Sequence, residues 1–483
     1  MARKIFRIDE FFGIDQSRNQ NGLSSGVSPD ACNMDTADGD LTVAKGYTRY
    51  VQTPVPGDGA IHALCFFYGG GVIQPIVCAG SSIYAYKNGA WEEAYTYPEG
   101  VIAERFTFLN AQIGGTDHIL IACNAAQMVK YNGTSASLFG SAEGASDIHA
   151  GFLAMYKSRL FSAGDAAHPN RLYWSQLAGD GRSIEDWSGV EASANVEGGH
   201  VEIGAVGGDP ITGICAMSNQ LLILKQRSLF RLIGDKPSNF IIEELDANIA
   251  TVMHTPMVKF GDAVYFLTKG GMYCFNGVSA ACCDGRRLIK TLASADLSNT
   301  CGALTDERLY FSLSDGDGDA LIEYDTIRRT FMLRRGFSVG DLSAFMGRLY
   351  LINSNRFVYR FNDGESYDGE PISAWWKTPE SDAFDKGSVK AMREMYLRGS
   401  TQNGAALMAD VSVGGNTTTY RLLLPDELHE VLEVPLKNEG RTFSLRFYNE
   451  AGGRFTLTGG KVVQTKRLPV QHGQGRRALR CEP

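Results

Sequence analysis

Residues 257–277 read MVKFGDAVYFLTKGGMYCFNG. A first apolar run ends at Gly-Asp, a second passes through AVYFLT to Gly-Gly, and a third, MYCF, ends in Asn-Gly. Apolar residues alternate with a period of two, which is the spacing of strands and not of helices. Asn-Gly between two such runs marks a tight hairpin, because both residues tolerate positive φ. The same unit recurs along the chain. It is seen in Ile61–Tyr68 with SSIYAYKNG, in Arg105–Leu109 with HILIAC and QMVKYNG, and in Phe152–Tyr156 with SRLFSAG and NRLYWSQ. It returns in Ile211–Met217 with NQLLILK and SLFRLIG, in Cys301–Leu304 with ERLYFSL and TFMLRR, and in Leu342–Phe345 with GRLYLIN and RFVYRFND. Units of roughly 40 residues built from short strands are the period of four-stranded propeller blades. One such sheet cannot bury both faces alone, so the units must pack on one another. The body of the chain is therefore expected to be an all-β propeller of six or seven blades over residues 56–371.

Composition agrees with this. The 483 residues include 55 Gly but only 15 Pro, with 20 Tyr and 25 Phe. Gly serves the turns, and aromatics suit a pleated surface. The formal net charge of -8 does not provide the basic field of a general nucleic-acid binder. The 10 Cys are scattered without a CxxC pair, and most sit inside apolar strand patterns, as in PIVCAG and ILIACN. They read as buried free thiols, which implies folding in a reducing compartment. MARKIFRIDEFFGID lacks the apolar core of a signal peptide, and no apolar run reaches the ~18 residues that span a bilayer. No membrane insertion is expected, and the host cytoplasm is the expected site of synthesis and assembly.

The ends differ from the repeats. Residues 1–55 carry KIFRI and DLTVAKGY around a polar stretch and read as an N-terminal arm with one or two propeller-closing strands. Residues 372–468 change to longer strands such as VKAMREMYLRG, ALMADVSV and RTFSLRFYN, which read as a C-terminal β-sandwich. Residues 469–483, polar and basic, read as an extended arm.

Four stretches resemble a known group of proteins. They are DACNMDTADGDLTVAKGY (30–47), RLYWSQLAGDGRSIEDW (171–187), GDPITGI followed by NQLLILKQRSLFRLIGD (208–235), and AWWKTPESDAF followed by VKAMREMYLRGS (374–400). Their order resembles the packaged-DNA stabilisation proteins, or tail hubs, that form the head-to-tail connector of short-tailed phages. That resemblance implies a propeller with a C-terminal β-domain and no enzyme activity. It implies a virion (tail) location and a homo-oligomeric ring, a hexamer, below the portal or adaptor proteins. Tail fibre, spike or needle proteins would be carried by the ring, and packaged DNA would lie close to it. The basic tail departs from the family pattern.

Chemistry-bearing constellations are few. A glycoside hydrolase, the enzymatic alternative, needs paired carboxylates. Sialidase-like propellers repeat Ser-x-Asp-x-Gly-x-x-Trp turns; SLSDGDGDAL (312–321) is the nearest stretch and lacks the aromatic. A glycan- or protein-binding propeller module is the other alternative. Asp315, Asp317 and Asp319 resemble a calcium loop, because alternate carboxylates can converge on one hard cation. The competing reading is a solvated hairpin tip. The 8 His form no HExxH pair, and GGGVIQP and GGDP open no helix, so no catalytic residue or cofactor is expected. The pairs Arg328–Arg329 and Arg334–Arg335 read as solvated charge. Arg476, Arg477 and Arg480 on a mobile arm are interface candidates for an acidic partner or DNA phosphate. Trp375 and Trp376 are adjacent and so point to opposite faces of a strand. One belongs in a core and the other is an interface candidate.

Overall fold

The computed structural model describes the chain except for residues 1–2, 20–21, 99–104, 124, 141–148, 180–181, 188–196, 206–207, 247, 252–253, 307, 383–388, 403, 425–430, 459–460 and 468–483. It divides into two units, Lys45–Glu370 and a second made of Met1–Ala44 with Pro371–Pro483.

The Lys45–Glu370 unit is a seven-bladed propeller. Each blade is a four-stranded antiparallel meander. The first sheet contains Ile61–Gly69, Val72–Ala79, Ser82–Lys87 and Ala90–Thr96, and five more follow in order. Their innermost strands are Thr107–Ile113, Phe152–Tyr156, Ile211–Ala216, Val258–Phe260 and Gly302–Leu304. The seventh sheet takes Asp341–Phe345, Arg348–Ile352 and Val358–Phe361 from the end of the unit and Tyr47–Arg49 from its beginning. An early strand thus closes a ring whose innermost strands touch, the seventh against the first.

The repeats have this shape because of their turns and their alternation. The SSIYAYKNG hairpin turns at Asn88 and Gly89, with φ of 49° and 85°, a two-residue turn that matches strand twist. At Asn132 the side-chain oxygen accepts the Thr134 and Ser135 amides at 3.0 and 2.9 Å, which holds the next Asn-Gly loop. Alternation gives each sheet two apolar faces, and the core lies between neighbouring sheets. Cys65, Phe67, Ile76 and Cys78 of the first sheet pack with Ile119, Ile121 and Tyr131 of the second. Leu64, Phe66 and Val77 pack the other face of the first sheet against Tyr350, Ile352 and Val358 of the seventh. One short helix, Ile289–Ser294, joins the fifth and sixth sheets and buries Leu292. At 6 residues it is too short for a helical period to register in the sequence.

The second unit is a β-sandwich. One sheet orders Asp30–Cys32, Trp375–Lys377, Phe443–Asn449, Leu407–Val413 and Asn416–Leu422. The other is built on the long strand Lys390–Thr401, with Arg3–Ile8, Lys461–Arg467, Phe455–Leu457 and Leu41–Val43 on one side of it. Leu407, Ala409, Val411 and Val413 are buried in strict alternation. The Phe6 and Phe443 rings, one from each sheet, meet edge-on at 5.1 Å.

The sequence reading set residues 1–55 apart as one segment, and strand pairing divides it differently. Residues 1–44 belong to the sandwich, because Asp30–Cys32 pairs with Trp375–Lys377 and Leu41–Val43 with Phe455–Leu457. Tyr47–Arg49 alone supplies the propeller-closing strand. The propeller is thus inserted between strands of the sandwich. The arm over 469–483 lies outside the described residues.

Candidate functional site

The seven innermost strands surround an axial cavity of about 530 Å³ at the end where those strands begin. Each sheet contributes to its wall: Leu64, Thr107, Leu153, Ile214, Val258, Ala303 and Leu342. A radial arrangement produces this feature without any special sequence, because the first strands cannot meet on the axis. Its size falls in the range of small-ligand sites. The charged groups on the wall are few: Arg105, Lys259 and Asp341, with His254 beside them. The Lys259 ammonium donates to the Ala216 carbonyl at 3.2 Å, and the His254 ring stands 5.3 Å from that of Phe152.

Asp341 opens the innermost strand of the seventh sheet, and its Oδ2 accepts the Leu64 amide at 2.7 Å. Burial pushes its carboxyl above the ordinary carboxylate range. Arg105, the Leu64 and Leu342 amides and the Cys301 thiol oppose that shift. Part of its surface faces the cavity, but the cavity lies inside the ring of sheets, so the carboxyl still sits in a poorly polar surround. Cys301, held 2.9 Å from the Ser312 hydroxyl, is pushed up to about 12 by burial and is inert as a nucleophile.

The linkage has a definite sign. A carboxyl with a raised folded pKa binds its proton more tightly when folded, so its contribution is complete at low pH. That contribution drains as pH rises through the raised value. Asp341→Asn stays neutral and still accepts the Leu64 amide. Its urea midpoint is expected to gain on that of the wild type as pH climbs from about 4. Asp341→Ala, which strands the Leu64 amide, is expected to cost about 1–3 kcal/mol at low pH and less as pH rises. Parallel denaturation curves for Asp341→Asn and wild type across that range would refute the reading.

The residues singled out from the sequence fall elsewhere. Trp376 is wholly buried, donates its indole N–H to the Phe12 carbonyl at 3.0 Å and meets the Phe11 ring at 5.0 Å. It is a core residue of the sandwich, which removes it from the interface candidates. Trp375, on the opposite face, is half-buried, donates to Asp30 Oδ1 at 2.9 Å and lies under the Arg446 guanidinium at 5.4 Å. Arg476, Arg477 and Arg480 lie outside the described residues.

The calcium candidate does not assemble. Asp315 pairs with Gly318 across the hairpin and Ser314 with Asp319, so the pleat sends Asp315 and Asp319 to opposite faces. Asp315 is held by Arg335 at 2.9 and 2.5 Å. Asp319 accepts the Ser314 hydroxyl at 2.5 Å and the Val339 amide at 3.2 Å. Among the described residues no group of three His, Cys, Asp or Glu side chains is placed to hold a metal ion. Among them, too, no helix is long and apolar enough to cross a membrane. Arg334, read as solvated charge, is buried against Glu323.

Sequence reasoning did not find the Arg105–Asp341 cavity, because its members come from different blades and share no local pattern. The nine described cysteines are all free, and six of them are buried, as the strand patterns implied.

No family model and no curated protein sequence matches the chain. Solved structures do. The extracellular domain of BT4673 from B. thetaiotaomicron aligns with a TM-score of 0.45 at 13% identity, over 80% of this chain and 47% of that one. The chain thus spans about half the length of that domain. BamB from Moraxella catarrhalis aligns with a TM-score of 0.39 at 10% identity, over 75% of this chain and 98% of BamB. The WD40 domain of Neurospora crassa Pan2 aligns with a TM-score of 0.38 at 10% identity, over 66% and 94% of the two chains.

Proposed function

We propose that the chain is a propeller-type binding and scaffolding module, and that it serves in the virion of a tailed phage as a tail hub or head-to-tail connector subunit. The observation that supports the broader part is the axial cavity. Its described wall holds one carboxylate, Asp341, whereas hydrolysis of a glycosidic bond requires two at a set separation. What the ring offers is a rigid shape and a set of loops. The narrower part rests on the resemblance. Residues 208–235 span the first three strands of the fourth sheet, and residues 30–47 run from the sandwich strand Asp30–Cys32 into the closing strand. These two stretches lie largely on framework strands, which is where a shared scaffold would keep its sequence. In this role the subunit works mechanically: identical copies close a ring through head-to-tail contacts.

A second reading, a propeller that binds a small ligand or glycan, is favoured by Arg105 and Lys259 on the cavity wall. Mass photometry of the purified chain, alone and with portal and adaptor proteins of a short-tailed phage, separates the readings. Closed multi-copy rings that capture those proteins are the expected result. A strict monomer that ignores them and binds an immobilised glycan overturns the virion role and leaves the binding module. Turnover of a glycoside, abolished by a single carboxylate substitution, overturns both.

A further inference from the structure

The axial cavity carries a charge opposite to that of the chain around it. The formal net charge of the chain is -8, yet the described wall holds Arg105, Lys259 and His254 against one carboxyl, Asp341. Other polar groups of the wall tie blade to blade. Asp341 accepts the Leu64 amide of the first sheet, the Thr107 hydroxyl donates to the Gly151 carbonyl at 2.6 Å, and the Thr255 amide donates to the Thr212 carbonyl at 3.0 Å. The Lys259 ammonium directs one donor to the Ala216 carbonyl, of the three that an ammonium has. Arg105 differs from all of these. Among the described residues its guanidinium forms no hydrogen bond and no ion pair, and it acts on Asp341 and Cys301 only through its field. It is half-buried on the wall of the cavity. A guanidinium presents its donors as a planar fork that fits a carboxylate or a phosphate, and a charge drawn away from water favours a partner.

We infer that the axial cavity binds a small organic anion of about sugar size, with Arg105 as the bidentate contact to its carboxylate or phosphate head and Lys259 as the second cation. The inference rests on the binding-module part of the proposed function and narrows its ligand. The volume of about 530 Å³ has room for a phosphorylated hexose. Leu64, Leu153, Ile214 and Leu342 on the same wall favour a ligand with a carbon body over a bare inorganic ion. Asp341 does not cancel the cations, because burial favours the neutral form of its carboxyl. A cationic recess in an acidic protein also concentrates anions at its mouth.

Isothermal titration calorimetry of the folded chain with glucose 6-phosphate, citrate and neutral glucose at low salt tests this. At least one of the two anions is expected to bind, and glucose is not. The tighter of the two identifies the head group. Arg105→Gln is expected to weaken that anion at least about 10-fold, and Lys259→Gln less, since Lys259 divides its donors. Arg105→Lys, which keeps the charge and loses the fork, should fall between Arg105→Gln and wild type. Added salt should weaken binding in the wild type. Near-UV circular dichroism confirms that each variant is folded. Unchanged anion affinity in folded Arg105→Gln would overturn the inference, as would glucose binding as tightly as glucose 6-phosphate, or binding of neither anion. A chain that fails in these ways and still closes rings or holds a glycan loses this ligand and keeps the binding module.

Discussion

Replacing Glu323 by Gln is expected to destabilise the propeller by about 3–5 kcal/mol. Glu323 lies on the third strand of the sixth sheet, opposite Tyr310 on one side and Met332 on the other. Two residues along from those partners stand Arg308 and Arg334, so one carboxylate is held between two diagonal guanidinium groups. Arg334 meets Glu323 Oε2 at 2.7 Å and Arg308 meets Oε1. The side chains of Glu323 and Arg334 are 6% and 1% exposed, so water cannot take over when one partner is lost. Gln keeps the shape and removes the charge, leaving a buried guanidinium uncompensated. Much of the cost is that stranded charge and not the attraction itself. Removing both, as Glu323→Leu with Arg334→Leu, should therefore recover part of the loss, with a coupling of about 0.5–3 kcal/mol. Urea titration of wild type, Glu323→Leu, Arg334→Leu and the double variant measures the coupling, with Glu323→Gln titrated beside them. A loss below about 1 kcal/mol for Glu323→Gln would mean the pair behaves as a surface bridge.

This buried cluster shows where sequence reading ends. The Arg334–Arg335 pair looks like solvated charge in the sequence, because nothing local announces a carboxylate one strand away. The repeats were legible for the opposite reason: strand alternation and Asn-Gly turns are local, and each blade restates them. Blade number was less so. The seventh sheet is completed by the three residues of Tyr47–Arg49, too few to register a period and remote from their partners. The same limit hid the place of residues 1–44 in the sandwich, whose strands there include the three-residue Asp30–Cys32 and the two-residue Met34–Asp35. For Trp375 and Trp376 the sequence supplied opposite faces, but which face is buried depends on Phe11 and Phe12, far away in the chain. The Asp315–Asp319 run misled because spacing suggests convergence until the hairpin register is known.

The closing strand carries the second large effect. Tyr47→Ala is expected to cost about 3–5 kcal/mol, the scale of deleting a buried aromatic ring. Tyr47 is 5% exposed and packs among Tyr359, Tyr367 and Phe337 at ring distances of 4.5, 5.1 and 5.6 Å. Burial pushes its hydroxyl up to about 12, so the ring stays neutral throughout the working range. The backbone adds to this grip: Tyr47, Thr48 and Arg49 pair with Phe361, Arg360 and Tyr359, and the Tyr50 and Val51 amides both donate to the Val358 carbonyl. In the other six blades the outer strand follows the third strand of its own sheet directly in chain order. Here it reaches the seventh sheet from the far end of the unit, so packing and hydrogen bonds, and not chain connectivity, hold the ring shut. Loss of the Tyr47 ring is therefore expected to accelerate unfolding and expose the segment near residue 50 to protease before other loops. Leu138→Ala, a truncation of an exposed side chain on the tethered outer strand of the second sheet, should stay within about 0.5 kcal/mol of wild type. If Tyr47→Ala costs no more than that control, the ring is held by its inner strands alone and the closing strand is decoration.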